Sequence, residues 1–212
     1  MGETPFIAVE GPIGVGKTSL SKAISSHFQF NLLKEIVDEN PFLDKFYKDI
    51  DEWSFQTEMF FLCNRFKQLE DIQRLHLKQQ QPVIADYHIM KNMIFAERTL
   101  KSDQYEKYVK IYNILTEDMP APNLVIYLNA SLETLMRRIQ LRGREIEKNM
   151  NPSYLLQLKN DYEMAMDRFE KMYPEVNVLR FNGDELDFVQ NRDHMDLILN
   201  KVYDTLGKRS QQ

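Results

Sequence analysis

Eight consecutive residues near the start of the chain, Gly11-Pro-Ile-Gly-Val-Gly16-Lys17-Thr18, fit the pattern G-x-x-x-x-G-K-[ST]. Each residue type in it has a task around phosphate. Glycines let backbone N–H groups converge on an anion, the helix that follows adds positive potential at its N-terminus, and Lys17 is long enough to reach terminal phosphates. Thr18 can ligate Mg²⁺. Gly11, Pro12, Ile13, Gly14, Val15, Gly16, Lys17, Thr18 and Ser19 are therefore expected to hold ATP. A nucleotide-gated switch or an ATPase would share this loop, so acceptor residues must decide whether phosphate is transferred.

Two carboxylates and a group of arginines are the next candidates. In parallel α/β sheets ligands gather at the carboxyl ends of the strands. Glu35 follows Asn31-Leu-Leu-Lys34, and Asp86 ends Pro82-Val-Ile-Ala85, where a carboxylate that supports Mg²⁺ usually stands. A helix cap is a compatible second role for Asp86, and either carboxylate is a candidate proton acceptor. Arg138 and Arg142 share a helix face and Arg144 extends beyond it. The three suggest a clamp that neutralises charge as the γ-phosphoryl moves and excludes water, with Arg142 the catalytic member. The alternative is a solvated basic helix end, which suits Arg137 better. A sugar hydroxyl is a weak nucleophile that benefits from a nearby carboxylate, whereas a phosphate acceptor would be repelled by Glu35.

Positioning these groups requires strands that deliver loops to one edge. Phe6 to Glu10 is a short apolar run, and Lys17 to Phe28 reads as a helix with Leu20, Ala23, Ile24 and Phe28 on its apolar side. Further strands are expected at Leu32 to Val37, Pro82 to Asp86, Leu124 to Asn129 and Val176 to Phe181. Long helices are expected at Asp51 to Gln80, Ser102 to Asp118 and Asn151 to Tyr173, the last with Asn151 as cap and Pro152 in the first turn. Strands alternating with helices imply an α/β fold: a five-stranded parallel sheet with helices on both faces. The run Arg142 to Lys148, with Gly143 inside it, reads as a mobile surface loop within a lid of about residues 138–150. Residues 1–212 read as one domain, without repeat or linker.

Composition narrows the partners. The chain has 212 residues, a net charge of −5 and 28% charged residues, so a nucleic acid polymer would be repelled. Cys63 is the single cysteine, and with His27, His76, His88 and His194 it forms no metal-ligand spacing. The N-terminal residues lack the basic lead of a signal peptide and no run is long enough to span a membrane, which points to the cytoplasm.

Taken together, the phosphate loop, Lys34-Glu35, Asn40-Pro-Phe-Leu-Asp-Lys-Phe-Tyr47, Trp53-Ser-Phe55, Arg65, Asp86 and Arg138-Ile-Gln-Leu-Arg-Gly-Arg144 resemble the deoxyribonucleoside kinases, in particular bacterial ones acting on deoxyguanosine. The resemblance runs from Phe6 to the final helix. It implies a P-loop kinase fold, usually a homodimer, that transfers the γ-phosphoryl of ATP to a deoxynucleoside 5′-hydroxyl. It further implies that Glu35 contacts this hydroxyl, Tyr47 and Glu147 the 3′-hydroxyl and Arg65 the base, and that the arginine run is the lid. Gly183-Asp184 lies near the family's adenine-binding loop. One departure stands out: the family commonly has Arg-Ser after the acidic residue of strand three, where this chain has Asp86-Tyr87-His88. Tyr87 is counted with the acceptor-binding residues, and Lys91 is either the missing cation or a solvated lysine.

Aligning Trp53-Ser-Phe55 without a gap places Glu58 where many relatives have a base-contacting glutamine. Arg65, seven residues on, lies two helical turns away on the same face. A carboxylate there can accept both N1–H and the 2-amino group of guanine, while Arg65 donates to O6 or N7. The alternative leaves Glu58 solvated and gives the base to Gln56. Met59, Phe60, Met90 and Met93 belong either to the core or to an interface.

Overall fold

The computed structural model describes residues 4–37, 39–147 and 150–209, with the side chains of 146, 208 and 209 left undescribed. Strand β1 (Phe6–Glu10) is buried along its whole length, which requires a sheet covered on both faces. Its neighbours are β3 (Val83–Ala85) on one side and β4 (Leu124–Asn129) on the other. With β2 (Asn31–Leu33) and β5 (Asn177–Asn182) at the edges, the order is β2-β3-β1-β4-β5. Every pairing is parallel, with Ile7 opposite both Ile84 and Leu124. This is the expected five-stranded sheet.

Eight α-helices connect and cover it among the described residues: α1 (Lys17–Phe28), α2 (Leu43–Lys48), α3 (Ile50–Leu75), α4 (Lys91–Thr99), α5 (Ser102–Thr116), α6 (Leu132–Arg142), α7 (Pro152–Met172) and α8 (Arg192–Arg209). Leu20 and Ile24 of α1 and Ile198 and Val202 of α8 pack with Val9, Ile126 and Leu128 of the sheet. On the other face Leu158, Tyr162, Met166 and Phe169 of α7, with Ile94 of α4, cover Val125 and Tyr127. Each such side chain contributes about 1.5–3 kcal/mol relative to leaving it in water. Leu62 of α3, Ala96 of α4 and Tyr108 of α5 form a satellite core that makes these three helices one wall. Met59 and Met93 are packed against this cluster and Met90 against the α7 side, in keeping with a core role.

Local limits differ from the sequence reading in ways that matter for chemistry. Strand β2 ends at Leu33 rather than Val37, because Lys34 and Glu35 turn away toward the cleft. Asp86 lies one residue beyond β3, its N–H still donating to the Leu33 carbonyl at 3.0 Å. The long helix α3 begins at the Asp49 cap, which accepts from Glu52 N, and ends at Leu75, before a 3-10 turn at Leu77–Gln79. Helix α4, too short for a periodic signal, went unforeseen. The charged run expected as a surface loop is helical up to Arg142, reverses at Gly143 and forms a 3-10 turn at Glu145–Glu147 in which Glu147 is buried. Lys148 of that run lies outside the described residues.

Candidate active site

The phosphate loop leaves β1 in a conformation that side chains would forbid. At Gly11, φ is 148° and a Cβ would stand 2.2 Å from the Leu128 carbonyl oxygen. A Cβ on Gly14 would meet Ile139 Cγ1 at 2.7 Å, so α6 rests directly on the loop. Lys17 Nζ donates to the carbonyls of Gly11 at 2.6 Å and Pro12 at 3.1 Å. Burial pushes Lys17 down to about 8, helped by the charge of Lys91 and opposed by Glu10, Glu35 and Asp86. Glu10, fully buried, accepts from Gly11 N at 3.1 Å and His88 N at 2.6 Å, tying the loop to the segment after β3.

Asp86 joins donor and acceptor sides. One of its oxygens accepts from Thr18 Oγ1 at 2.9 Å and the other from Glu35 N at 2.5 Å. Lys91 Nζ lies 2.8 Å from both oxygens of Glu35, and Arg65 pairs with the same carboxylate. Burial works against ionisation of Glu35, yet Lys91, Arg65 and Lys17 together hold it well below the usual carboxylate range. Lys91 is thus no solvated lysine: it is buried and pairs with Glu35 at 2.8 Å.

Arg65 is itself fixed from behind. Its Nη1 donates to Asn92 Oδ1 at 2.8 Å, and Asn92 Nδ2 donates to the Tyr108 hydroxyl at 2.9 Å. Phe61 lies 4.7 Å from its guanidinium carbon and Tyr87 5.6 Å. The Tyr87 ring is buried under Arg65 and its hydroxyl donates to Gln68, so Tyr87 supports the arginine instead of reaching the cleft. Nε of Arg65 and Oγ1 of Thr57 are buried without a hydrogen-bond partner.

Lys17, Thr18, Glu35, Asp86, Arg65 and Lys91 border one cleft of about 850 Å³, together with Tyr47, Glu58, Glu147 and Arg137, Arg138, Arg142 and Arg144. Glu58 is buried, and its carboxyl is pushed up to about 8 by burial, against the pull of Arg65 and Lys91. Gln56 is exposed, which removes it as the alternative. Burial and the charge of Glu147 keep the Tyr47 phenol protonated far above its ordinary range. Arg142 pairs with Glu147, and Arg144 lies 3.7 Å from the same carboxylate. Arg138 donates to the carbonyls of Val15 at 2.9 Å and Gly183 at 2.8 Å, bracing the phosphate loop against the segment after β5.

Residues 7–207 match the family model for deoxynucleoside kinase. The chain belongs to the deoxynucleoside kinase family. It is 57% identical to the deoxyguanosine kinase of Bacillus subtilis (strain 168), over 93% of this chain and 96% of that one. A deoxyadenosine/deoxycytidine kinase of the same organism is 30% identical, over 93% and 91% of the two chains. The solved structure of deoxyadenosine kinase from M. mycoides with bound dATP superposes with a TM-score of 0.79 at 26% identity, covering 94% of this chain and 99% of the other.

Within this kinase fold most sequence candidates converge on one cleft. Ile13 to Ser19, Glu35, Asp86, Tyr47, Glu58, Arg65, Glu147, Arg138, Arg142 and Arg144 all line it. Gly11 and Pro12 act beneath it, through the carbonyls that hold Lys17. Gly183 and Asp184 are turned to α6, where Asp184 accepts from Ser131 N at 2.7 Å, and the stretch bordering the cleft is instead Asp187 to Gln190. Arg137 borders it too, although its spacing fitted a solvated helix end. Thr57, Asn92 and Tyr108 were missed. Their signal, polar residues on the inward face of α3, α4 and α5, becomes visible once the packing of those helices is known.

Proposed function

We propose that this kinase transfers the γ-phosphoryl of ATP to the 5′-hydroxyl of a purine deoxynucleoside, with deoxyguanosine preferred and dGMP the product. The observation that carries the reading is the placement of Glu35. An ionised carboxylate, held by Lys91 and Arg65 and tied through Asp86 to Thr18, faces a phosphate loop across one cleft. In the largely dissociative transfer of a phosphoryl group the hydroxyl proton leaves late, so orienting the nucleophile matters more than basicity. Glu35 orients the hydroxyl and takes its proton, while Asp86 is tied to Thr18 and to the Glu35 backbone. Lys17 leaves the loop carbonyls for the terminal phosphates, and the backbone from Gly11 to Ser19 cradles them.

Thr18 and Asp86 suit Mg²⁺, a hard cation that takes oxygen ligands and keeps several from phosphate and water. Bound there, Mg²⁺ would offset charge on the β- and γ-phosphates. Arg142 and Arg144 turn from Glu147 to the γ-phosphoryl when the lid closes, which frees Glu147 to join Tyr47 on the sugar 3′-hydroxyl. Arg138 stays as the brace of the phosphate loop.

The base meets Glu58 and Arg65, whose unpartnered Nε supplies a donor for O6 or N7. That the relative sharing 57% identity is a deoxyguanosine kinase supports guanine. No helix among the described residues is long and apolar enough to cross a membrane, and a cytoplasmic homodimer completes the proposal. Phosphoryl transfer from ATP to each deoxynucleoside and each deoxynucleoside monophosphate tests it. Turnover should be fastest with deoxyguanosine, and turnover confined to monophosphates would overturn it.

A further inference from the structure

Glu58 sits where a base would be read, yet its surroundings are those of a group that keeps its proton. It is 2% exposed. Of the cations whose charge reaches Glu58, Arg65 on the same helix donates from Nη1 to Asn92 and from Nη2 to Glu35, and Lys91 of α4 donates to both oxygens of Glu35. The remaining polar groups that face Glu58 are neutral or negative: Thr99 at the end of α4, the phenols of Tyr108 on α5 and Tyr154 on α7, and Glu35 itself. Thr99 donates its one hydroxyl hydrogen to the Phe95 carbonyl at 2.8 Å.

We infer that the proton on Glu58 sets which purine this kinase accepts. As a neutral acid Glu58 presents one donor and one acceptor, as a glutamine would, and pairs either with N1 and the 6-amino group of adenine or with O6 and N1–H of guanine. As a carboxylate it presents two acceptors, pairs with N1–H and the 2-amino group of guanine, and faces the N1 lone pair of adenine with negative charge. Selectivity for guanine therefore rises as Glu58 ionises. The change falls near neutrality, since burial places this carboxyl at about 8. The charge-assisted pair with guanine is the stronger one, so deoxyguanosine binding draws the proton off. This inference rests on the purine deoxynucleoside kinase reading above.

Deoxyguanosine and deoxyadenosine in one reaction, at fixed ATP, give the ratio of their kcat/KM values from the ratio of products. Titrations common to both substrates, including those of Lys17 and the nucleotide, cancel in that ratio. From about pH 6 to about pH 9 the guanine-to-adenine ratio of the wild type should rise about tenfold or more. Glu58→Gln should hold it low and nearly flat, and guanine's own ionisation affects both proteins alike. Calorimetry of the wild type in buffers of different ionisation enthalpy gives a measure independent of the variant: deoxyguanosine binding near pH 7 should release up to one proton and deoxyadenosine none. A flat wild-type ratio, equal slopes in the two proteins, or no proton released with either nucleoside overturns the gate. Phosphorylation of pyrimidine deoxynucleosides alone would overturn the purine reading and the gate with it, a result distinct from a purine kinase whose ratio ignores pH.

Discussion

Glu35, its side chain 10% exposed, and the buried Glu58 are carboxyls of one cleft, and their partners set them apart. Glu35 shares two cations and stays ionised, whereas Glu58 has none of its own and holds its proton. Replacing Glu35 by Gln should lower kcat about a hundredfold or more, the scale of general-base help, with ATP affinity little changed. A near-normal kcat in steady-state assays would remove Glu35 as proton acceptor. The two groups also leave opposite marks on stability. The contribution of Glu35, whose folded-state value is depressed, is complete above the ordinary glutamate range near 4.3 and lost as pH falls through and below it. That of Glu58, whose value is raised, is complete below the range and lost as pH rises to about 8. Denaturant unfolding of Glu58→Gln should accordingly show stability relative to wild type rising between about pH 4.3 and about 8. Lys91→Met, which strips a cation from a buried pair, should cost about 3–5 kcal/mol of stability in the same measurement; a loss under 1 kcal/mol would contradict a buried pair.

At the level of elements, the cleft is made by short pieces whose ends are pinned. Helix α4 delivers Lys91 and Asn92 in consecutive positions, one to Glu35 and the other to Arg65. The 3-10 turn after α6 brings Glu147 to Arg142 and Arg144, a carboxylate that the proposed transfer requires these arginines to leave. Arg142→Ala should therefore reduce kcat, by as much as about a thousandfold if Arg142 stabilises the transferring phosphoryl as an arginine finger does. Deoxynucleoside affinity measured without ATP should barely move. A purely structural Arg142 would lower the thermal midpoint and leave turnover per folded molecule intact.

Across the whole molecule, the sheet and its covering helices leave apolar side chains in water: Leu156 and Met164 on α7 are 43% and 56% exposed. They stand eight residues apart, on one stripe of that helix. In a homodimer that uses this stripe, Met164→Glu should shift the species seen by analytical ultracentrifugation from dimer to monomer. A wild-type monomer, or a variant that stays dimeric, would remove α7 from the interface.

The sequence by itself determined what depends on neighbours along the chain. The phosphate loop occupies consecutive positions, with glycines demanded by positive φ and close approach, and the apolar runs flanking it specify strand and helix by their period. Parallel order and two-sided cover followed from the alternation of elements. Arg142 and Arg144 were legible as a charged group because a few residues separate them. Glu35 with Lys91 joins positions 56 residues apart, and Arg65 with Glu35 positions 30 apart. Spacing carries no record of such contacts. Tyr87 occupies the position of the missing arginine, but its ring turned to pack beneath Arg65, and Glu10 looked like the end of a strand while its carboxylate holds the phosphate loop to His88. Whether a glutamate is a base, a base reader or a surface residue depends on the charges and water around it. Those are fixed when α3, α4 and α5 close on one another, so tertiary packing decided the chemistry of residues whose identity was plain from the start.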